Sequence, residues 1–114
     1  MALDLYWILD EELPARCEAN PELACQLGAT YQLHITGHDG GDWFIDVSGN
    51  GPPIFRPGIE EADCIVTMSS ADFKKFYTNP LINGTPLYLQ GKIKAQGDPS
   101  LFAKFARLLT LPRP

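Results

Sequence analysis

Residues 29–47 read ATYQLHITGHDGGDWFIDV, and their alternation decides the fold class. Tyr31, Leu33 and Ile35 take turns with Gln32, His34 and Thr36, and Trp43, Ile45 and Val47 take turns with Phe44, Asp46 and Ser48. A period of two puts each set on its own face of a strand. Between the runs, GHDGGD at 37–42 is turn chemistry, so the two strands form an antiparallel hairpin. The Tyr31 and Trp43 face is expected to meet a core, while Gln32 and Phe44 are expected outside.

Downstream, SGNGPP at 48–53 is another turn, and Ile54 and Phe55 form a short edge strand stopped by Pro57 and Gly58. A fourth strand covers 62–68, with Cys64, Val66 and Met68 inward. At Ser69 the period becomes helical, with Asp72 three residues on as in a capping box and Phe73, Phe76 and Tyr77 on one face. NPLINGTP at 79–86 reads as a loop with at most a turn of helix, and 87–96 as a fifth strand with Leu87, Leu89, Ile93 and Ala95 on the covered face and Lys92 and Lys94 on the other. Asp98 and Pro99 then open a helix bearing Leu101, Phe102, Phe105, Ala106, Leu108 and Leu109, which Pro112 stops.

Upstream, Leu5, Leu9, Leu13 and Cys17 line one face of a helix over 3–19, with a break near Glu12 and Leu13 imposed by Pro14. A second helix starts at Asn20 as N-cap with Pro21 first, turns Leu23 and Leu27 inward, and ends at Gly28. The whole chain, 1–114, is thus one α+β domain: a five-stranded, mostly antiparallel sheet covered on one face by helices.

The formal charge of −5 serves phosphate contacts poorly, so nucleic acid is excluded as a partner. The same acidity limits contact with an anionic membrane to a transient one. No apolar run is long enough to cross a bilayer, and the acidic start lacks the basic and apolar regions of a signal peptide. Three cysteines without a CxxC pair fit a reducing compartment and read as small buried hydrophobes.

Two segments, ADCIVTMSSADFKKF at 62–76 and LYLQGKIKAQGDPSLFAKFARLL at 87–109, resemble the type-two sterol carrier proteins, or non-specific lipid-transfer proteins. The hairpin with Trp43 fits too, so the likeness spans roughly residues 20–109. The resemblance implies an apolar tunnel between sheet and helices that holds a sterol, fatty acid or other acyl lipid, in a carrier or an accessory module. The walls it implies are Trp43, Val66, Met68, Phe73, Phe76, Tyr77, Leu89, Ile93, Phe102, Phe105 and Leu109; Gln90 could hydrogen-bond a headgroup or, by the strand alternation, equally face solvent. By spacing alone the same aromatics describe a filled core, and a ligand-free interaction domain stays open as the alternative. The ending LTLPRP departs from the peroxisomal signal of many eukaryotic members, so a bacterial-type cytoplasmic protein is expected. A protein partner or a second copy remains open.

Catalytic patterns are missing. His34 and His38 fall on a strand and its turn, not on one helix face, and DGGD at 39–42 lacks the closing Glu of a calcium loop. No serine sits in GxSxG. Asp46, Glu60, Glu61 and Asp63 could approach as a carboxylate pair, which is the basis of a third reading as a small hydrolase or isomerase. The expectation is no catalytic residue, no metal and no cofactor.

Overall fold

The structure is a computed structural model that describes residues 4–113. The expected helix start at Leu3 therefore lies outside the described residues. From Leu5 the chain runs through α1 (Leu5–Trp7), a π-helical turn (Ile8–Glu12) and α2 (Leu13–Ala19). Leu5, Leu9, Leu13 and Cys17 are all buried, as their spacing implies. Pro14 has no N–H for a helical bond. The helix widens just ahead of it, where the Leu13 N–H reaches the carbonyl of Ile8 five residues back.

The next helix, α3 (Pro21–Cys25), is a single short element. Asn20 precedes it but does not cap it with its oxygen; its Nδ2 donates to the carbonyls of Arg16 and Pro112 at 2.9 and 2.8 Å. Leu27 is buried as expected, but Leu23 is exposed and Ala24 faces the core instead. So short a helix is oriented by its connections, and Gly28, at φ +57°, turns the chain directly into the sheet.

The strands are β1 (Ala29–Thr36), β2 (Gly41–Val47), β3 (Ile54–Pro57), β4 (Cys64–Ser69) and β5 (Lys94–Gly97), in the spatial order β3-β2-β1-β4-β5. Three pairs are antiparallel; β1 and β4 are parallel, with Leu33 beside Val66 on one side and Trp43 on the other. Tyr31, Leu33, Trp43, Ile45, Val47, Cys64, Val66 and Met68 are all buried in the core.

Gln32 and Phe44 correct the expectation that their face meets water, for both are buried. To pass from edge strand β3 to β4, the chain must recross β2 and β1, and residues 58–63 do so over the helix-free face. Gln32 fastens this crossover: its Nε2 donates to the Gly58 carbonyl at 2.9 Å and its Oε1 accepts from the Glu60 N–H at 2.8 Å. Phe44 lies under the Arg56 guanidinium, 5.2 Å from the ring centroid.

Three helices complete the fold: α4 (Ser70–Thr78), α5 (Pro80–Leu89) and α6 (Pro99–Leu108). Here lies the largest correction, because most of the expected loop and the first three residues of the expected fifth strand are helix. Pro80, Gly84 and Leu87 are buried at helical spacing on α5. The helix stops at Gln90, Gly91 takes φ +73°, and the N–H groups of Lys92 and Ile93 both bond to the Leu87 carbonyl. Ile93 is buried as expected, though in this link rather than in a strand; Lys92 and Lys94 are exposed. β5 is only the four residues that β4 can pair.

Candidate functional site

Local capping aims the aromatics. Ser69 Oγ accepts the Asp72 N–H at 3.1 Å and starts α4, which sends Phe73 and Phe76 inward. The Asp98 carboxylate accepts the Ser100 N–H at 2.9 Å and starts α6, which buries Phe105 and half-buries Phe102. Their rings form a continuous column. Tyr31 of the sheet meets Phe105 at 5.2 Å between centroids, Phe105 meets Phe76 at 6.1 Å, Phe76 meets Phe102 at 5.6 Å, and Phe102 meets the exposed Tyr88 of α5 at 5.4 Å. The column thus leads from the middle of the sheet to the surface. Its inner end is pinned, since the Tyr31 hydroxyl donates to the Leu101 carbonyl at 3.0 Å. Gly84 lets the α5 backbone lie on Phe76, where a Cβ would come within 2.9 Å of the ring.

Of the residues proposed as tunnel walls, Phe76, Phe102 and Phe105 belong to this column. Phe73 lies beside it, stacked on the half-buried Tyr77 at 6.2 Å. Val66, Met68, Ile93 and Leu109 are core. Trp43 is elsewhere: it packs edge-on against Tyr6 at 5.4 Å, and its Nε1 donates to Asp10 at 3.1 Å under the N-terminal helix. Leu89 is not on the covered face of a strand, and Gln90 is not in a strand; they are the exposed end and C-cap of α5.

A polar cluster that was not expected lies beside the column. Glu12 and Arg16, one turn apart, are both buried and form an ion pair. Arg16 also donates to the Leu109 carbonyl at 3.0 Å and to the Tyr77 hydroxyl at 3.2 Å, and its guanidinium sits 5.6 Å from the Tyr77 ring centroid. Arg113 adds a second cation to Glu12 at 2.9 Å. Burial pushes the Glu12 carboxyl up, but hydrogen bonds from Arg16 and Tyr77 and the charges of Arg16 and Arg113 outweigh it and hold the group below its ordinary value. Burial likewise raises Tyr77, helped by its hydrogen bond to Glu12. The cluster ties α2 to α4 and to the C-terminal end of α6. Its signal in the sequence is the four-residue spacing of Glu12 and Arg16.

Of the carboxylates expected as a possible pair, Asp46, Glu60 and Asp63 are each engaged with other partners, and Glu61 is exposed in a shallow groove with Asp63. Asp46 accepts from Ser48, Glu60 pairs with Arg56, Asp63 accepts the Thr30 N–H at 3.0 Å, and His34 faces Asp42. Among the described residues no three His, Cys, Asp or Glu side chains are grouped to hold a metal ion. Cys17 and Cys64 are buried, and burial pushes the Cys17 thiol up to about 12. Cys25, expected inside, is exposed because α3 turns Ala24 to the core. A surface groove of about 480 Å³ lies over Trp7, Glu11, Glu12, Ala15 and Arg113, and none of the column's rings lines it. No described helix is long and apolar enough to cross a membrane.

Comparison with known proteins agrees with this architecture. A solution structure of the sterol carrier protein domain 2 of Helicoverpa armigera superposes with a TM-score of 0.71 at 23% identity, covering 94% of this chain and 86% of that one. The sterol carrier protein 2 of Aedes aegypti in complex with a C16 fatty acid, palmitate, gives a TM-score of 0.71 at 18% identity over 96% of both chains. These likenesses show the fold. In sequence, the chain is 34% identical over 82 residues to the hydroxysteroid dehydrogenase-like protein 2 of Bos taurus, matching 71% of this chain and 19% of that protein. The chain therefore spans only about a fifth of the length of the curated relatives it matches. The model of the SCP-2 sterol transfer family matches residues 11–110, and the chain belongs to that family.

Proposed function

We propose that this domain binds a long apolar ligand of the fatty-acid or sterol class between the sheet and α4–α6, and that it acts as a carrier or as the lipid-holding module of a larger protein, not as a catalyst. The observation that carries the reading is the aromatic column from Tyr31 to Tyr88. It joins the core to the surface through rings alone, without an ion pair or hydrogen bond among the three phenylalanines, so an acyl chain or ring system can replace ring–ring contacts at little polar cost. The helix above it is lightly held: among the described residues, its one side-chain hydrogen bond to a neighbouring helix is that of Asn83 to the Lys75 carbonyl, at 2.7 Å. A relative of the same fold holds palmitate, which supports the ligand class.

Titration with a fluorescent fatty acid tests this. The parent protein should bind saturably, and Phe102→Ala, which removes the half-buried ring next to Tyr88, should weaken binding about tenfold while the fold is kept. A folded parent protein that shows no saturable binding overturns the proposal.

A further inference from the structure

The outward face of α5 is the least explained surface of the molecule. Leu81, Ile82 and Leu89 are 69%, 67% and 77% exposed, and Tyr88 and Thr85 are exposed beside them. Residues 81, 82, 85, 88 and 89 share one side of a helix, while the buried Pro80, Gly84 and Leu87 share the other. An isolated helix on the surface of a domain ordinarily turns a polar face to water. This one is apolar on both sides: Asn83, Thr85 and the Tyr88 hydroxyl are its only polar side-chain groups, and it has no charged one.

The charge around α5 is opposite to that of the whole. No acidic residue occurs from Phe73 to Gly97, a stretch that holds Lys74, Lys75, Lys92 and Lys94. Lys75 lies in the last turn of α4, where Asn83 bonds to its carbonyl, and Lys92 follows α5, its N–H bonded to the Leu87 carbonyl. Both lysines are exposed, and neither is in an ion pair among the described residues. Lys94 is exposed on β5 as well, whereas Lys74 is held by Asp39 at 3.2 Å, and Lys104 and Arg107 of α6 line a groove with Leu23 and Leu27 on the α3 side. The net charge of −5 thus conceals a stretch around α5, residues 73–97, that has no acidic side chain.

We infer that α5 docks this protein on a phospholipid surface bearing anionic headgroups, with Leu81, Ile82 and Leu89 entering the boundary between headgroups and acyl chains and Lys75 and Lys92 meeting the phosphates. Apolar insertion and basic residues at its margin together provide the two contributions that hold interfacial helices. Contact at this face would bring the outer end of the aromatic column, Tyr88, to the membrane. The inference goes beyond the carrier reading and does not require it.

Cosedimentation of the full chain with phosphatidylcholine vesicles, made with and without about one third phosphatidylserine, reads the docking directly. The parent should bind the phosphatidylserine vesicles and release them as salt is raised. Leu81→Asp with Ile82→Asp should lower the partition coefficient by at least about tenfold, and Lys75→Gln with Lys92→Gln should remove the preference for phosphatidylserine. No binding to either vesicle, or equal binding by the parent and the doubly substituted aspartate variant, overturns the inference. A concentration-dependent dimer in analytical ultracentrifugation that the aspartate pair abolishes also overturns it, because a second copy then covers the face. Fatty-acid titration of the same proteins without vesicles keeps the two readings apart: saturable binding with failed docking refutes only the membrane surface, and docking without saturable binding refutes only the carrier.

Discussion

Arg16 has three partners on three different elements, Glu12, Tyr77 and the Leu109 carbonyl, and no solvent to replace them. Removing Arg16 leaves the buried Glu12 with the exposed Arg113 as its remaining cation, so Arg16→Met should destabilise the domain by up to about 3 kcal/mol in urea denaturation. The pair also sets a pH response. Glu12 has a folded pKa below its ordinary value of 4.5, so the unfolded chain binds a proton first as pH falls. Its stabilisation is complete above that value and is lost as pH drops below 4.5 toward the lowered folded pKa; Glu12→Gln should flatten this part of an acid-denaturation profile. Phe105 and Phe102 differ in the same way as floor and mouth. Phe105, in contact with Tyr31 and Phe76 and fully buried, should cost about 3 to 5 kcal/mol on truncation to Ala in the ligand-free protein, whereas the half-buried Phe102 should cost less and affect fatty-acid affinity more. Denaturation and titration on the two variants measure both quantities.

At the scale of the element, α5 is held by what it lacks. Gly84 brings the backbone onto Phe76, and Pro86 leaves one helical hydrogen bond unmade. Replacing Gly84 with Ala gains about 1 kcal/mol of helix propensity but places a methyl 2.9 Å from a ring that is closed in by Phe102 and Phe105. Forcing a buried aromatic aside costs about 1 to 3 kcal/mol, so the clash wins. Gly84→Ala should therefore lower the thermal midpoint, and hydrogen exchange in α5 should speed up relative to α4. An unchanged or raised midpoint would show that α5 is not seated on Phe76 in solution.

For the molecule as a whole, the proposed ligand stabilises the folded state by mass action. At a hundredfold excess over Kd a fatty acid should add about 2.7 kcal/mol, which corresponds to a rise of about 10 °C in the Tm of a domain this size. Differential scanning fluorimetry with and without palmitate reads it, and an unshifted Tm at concentrations that saturate the titration would contradict binding to the native state.

Much of the architecture was legible in the chain. The alternation at 29–47 and 62–68, the caps at Ser69 and Asp98, and the stops at Gly28 and Pro112 are local instructions, because a strand's period, an N-cap bond and a positive φ each depend on a few neighbouring residues. The aromatics of α4 and α6 were legible for the same reason. Residues 79–96 were not, since Pro80, Gly84 and Leu87 at helical spacing overlap Leu87, Leu89 and Ile93 at strand spacing, and the two periods compete on the same side chains. Only the tertiary structure decided between them, through the seat that Phe76 offers to Gly84 and the four-residue limit of β5's pairing with β4. It also decided the fate of Gln32, whose polar side belongs in water until the crossover from β3 to β4 covers it and satisfies both ends of its amide. Burial of Glu12 and Arg16 is of the same kind: their spacing permits a pair, but only the packing of α2 against α4 and the end of α6 removes the water that would otherwise have made it weak.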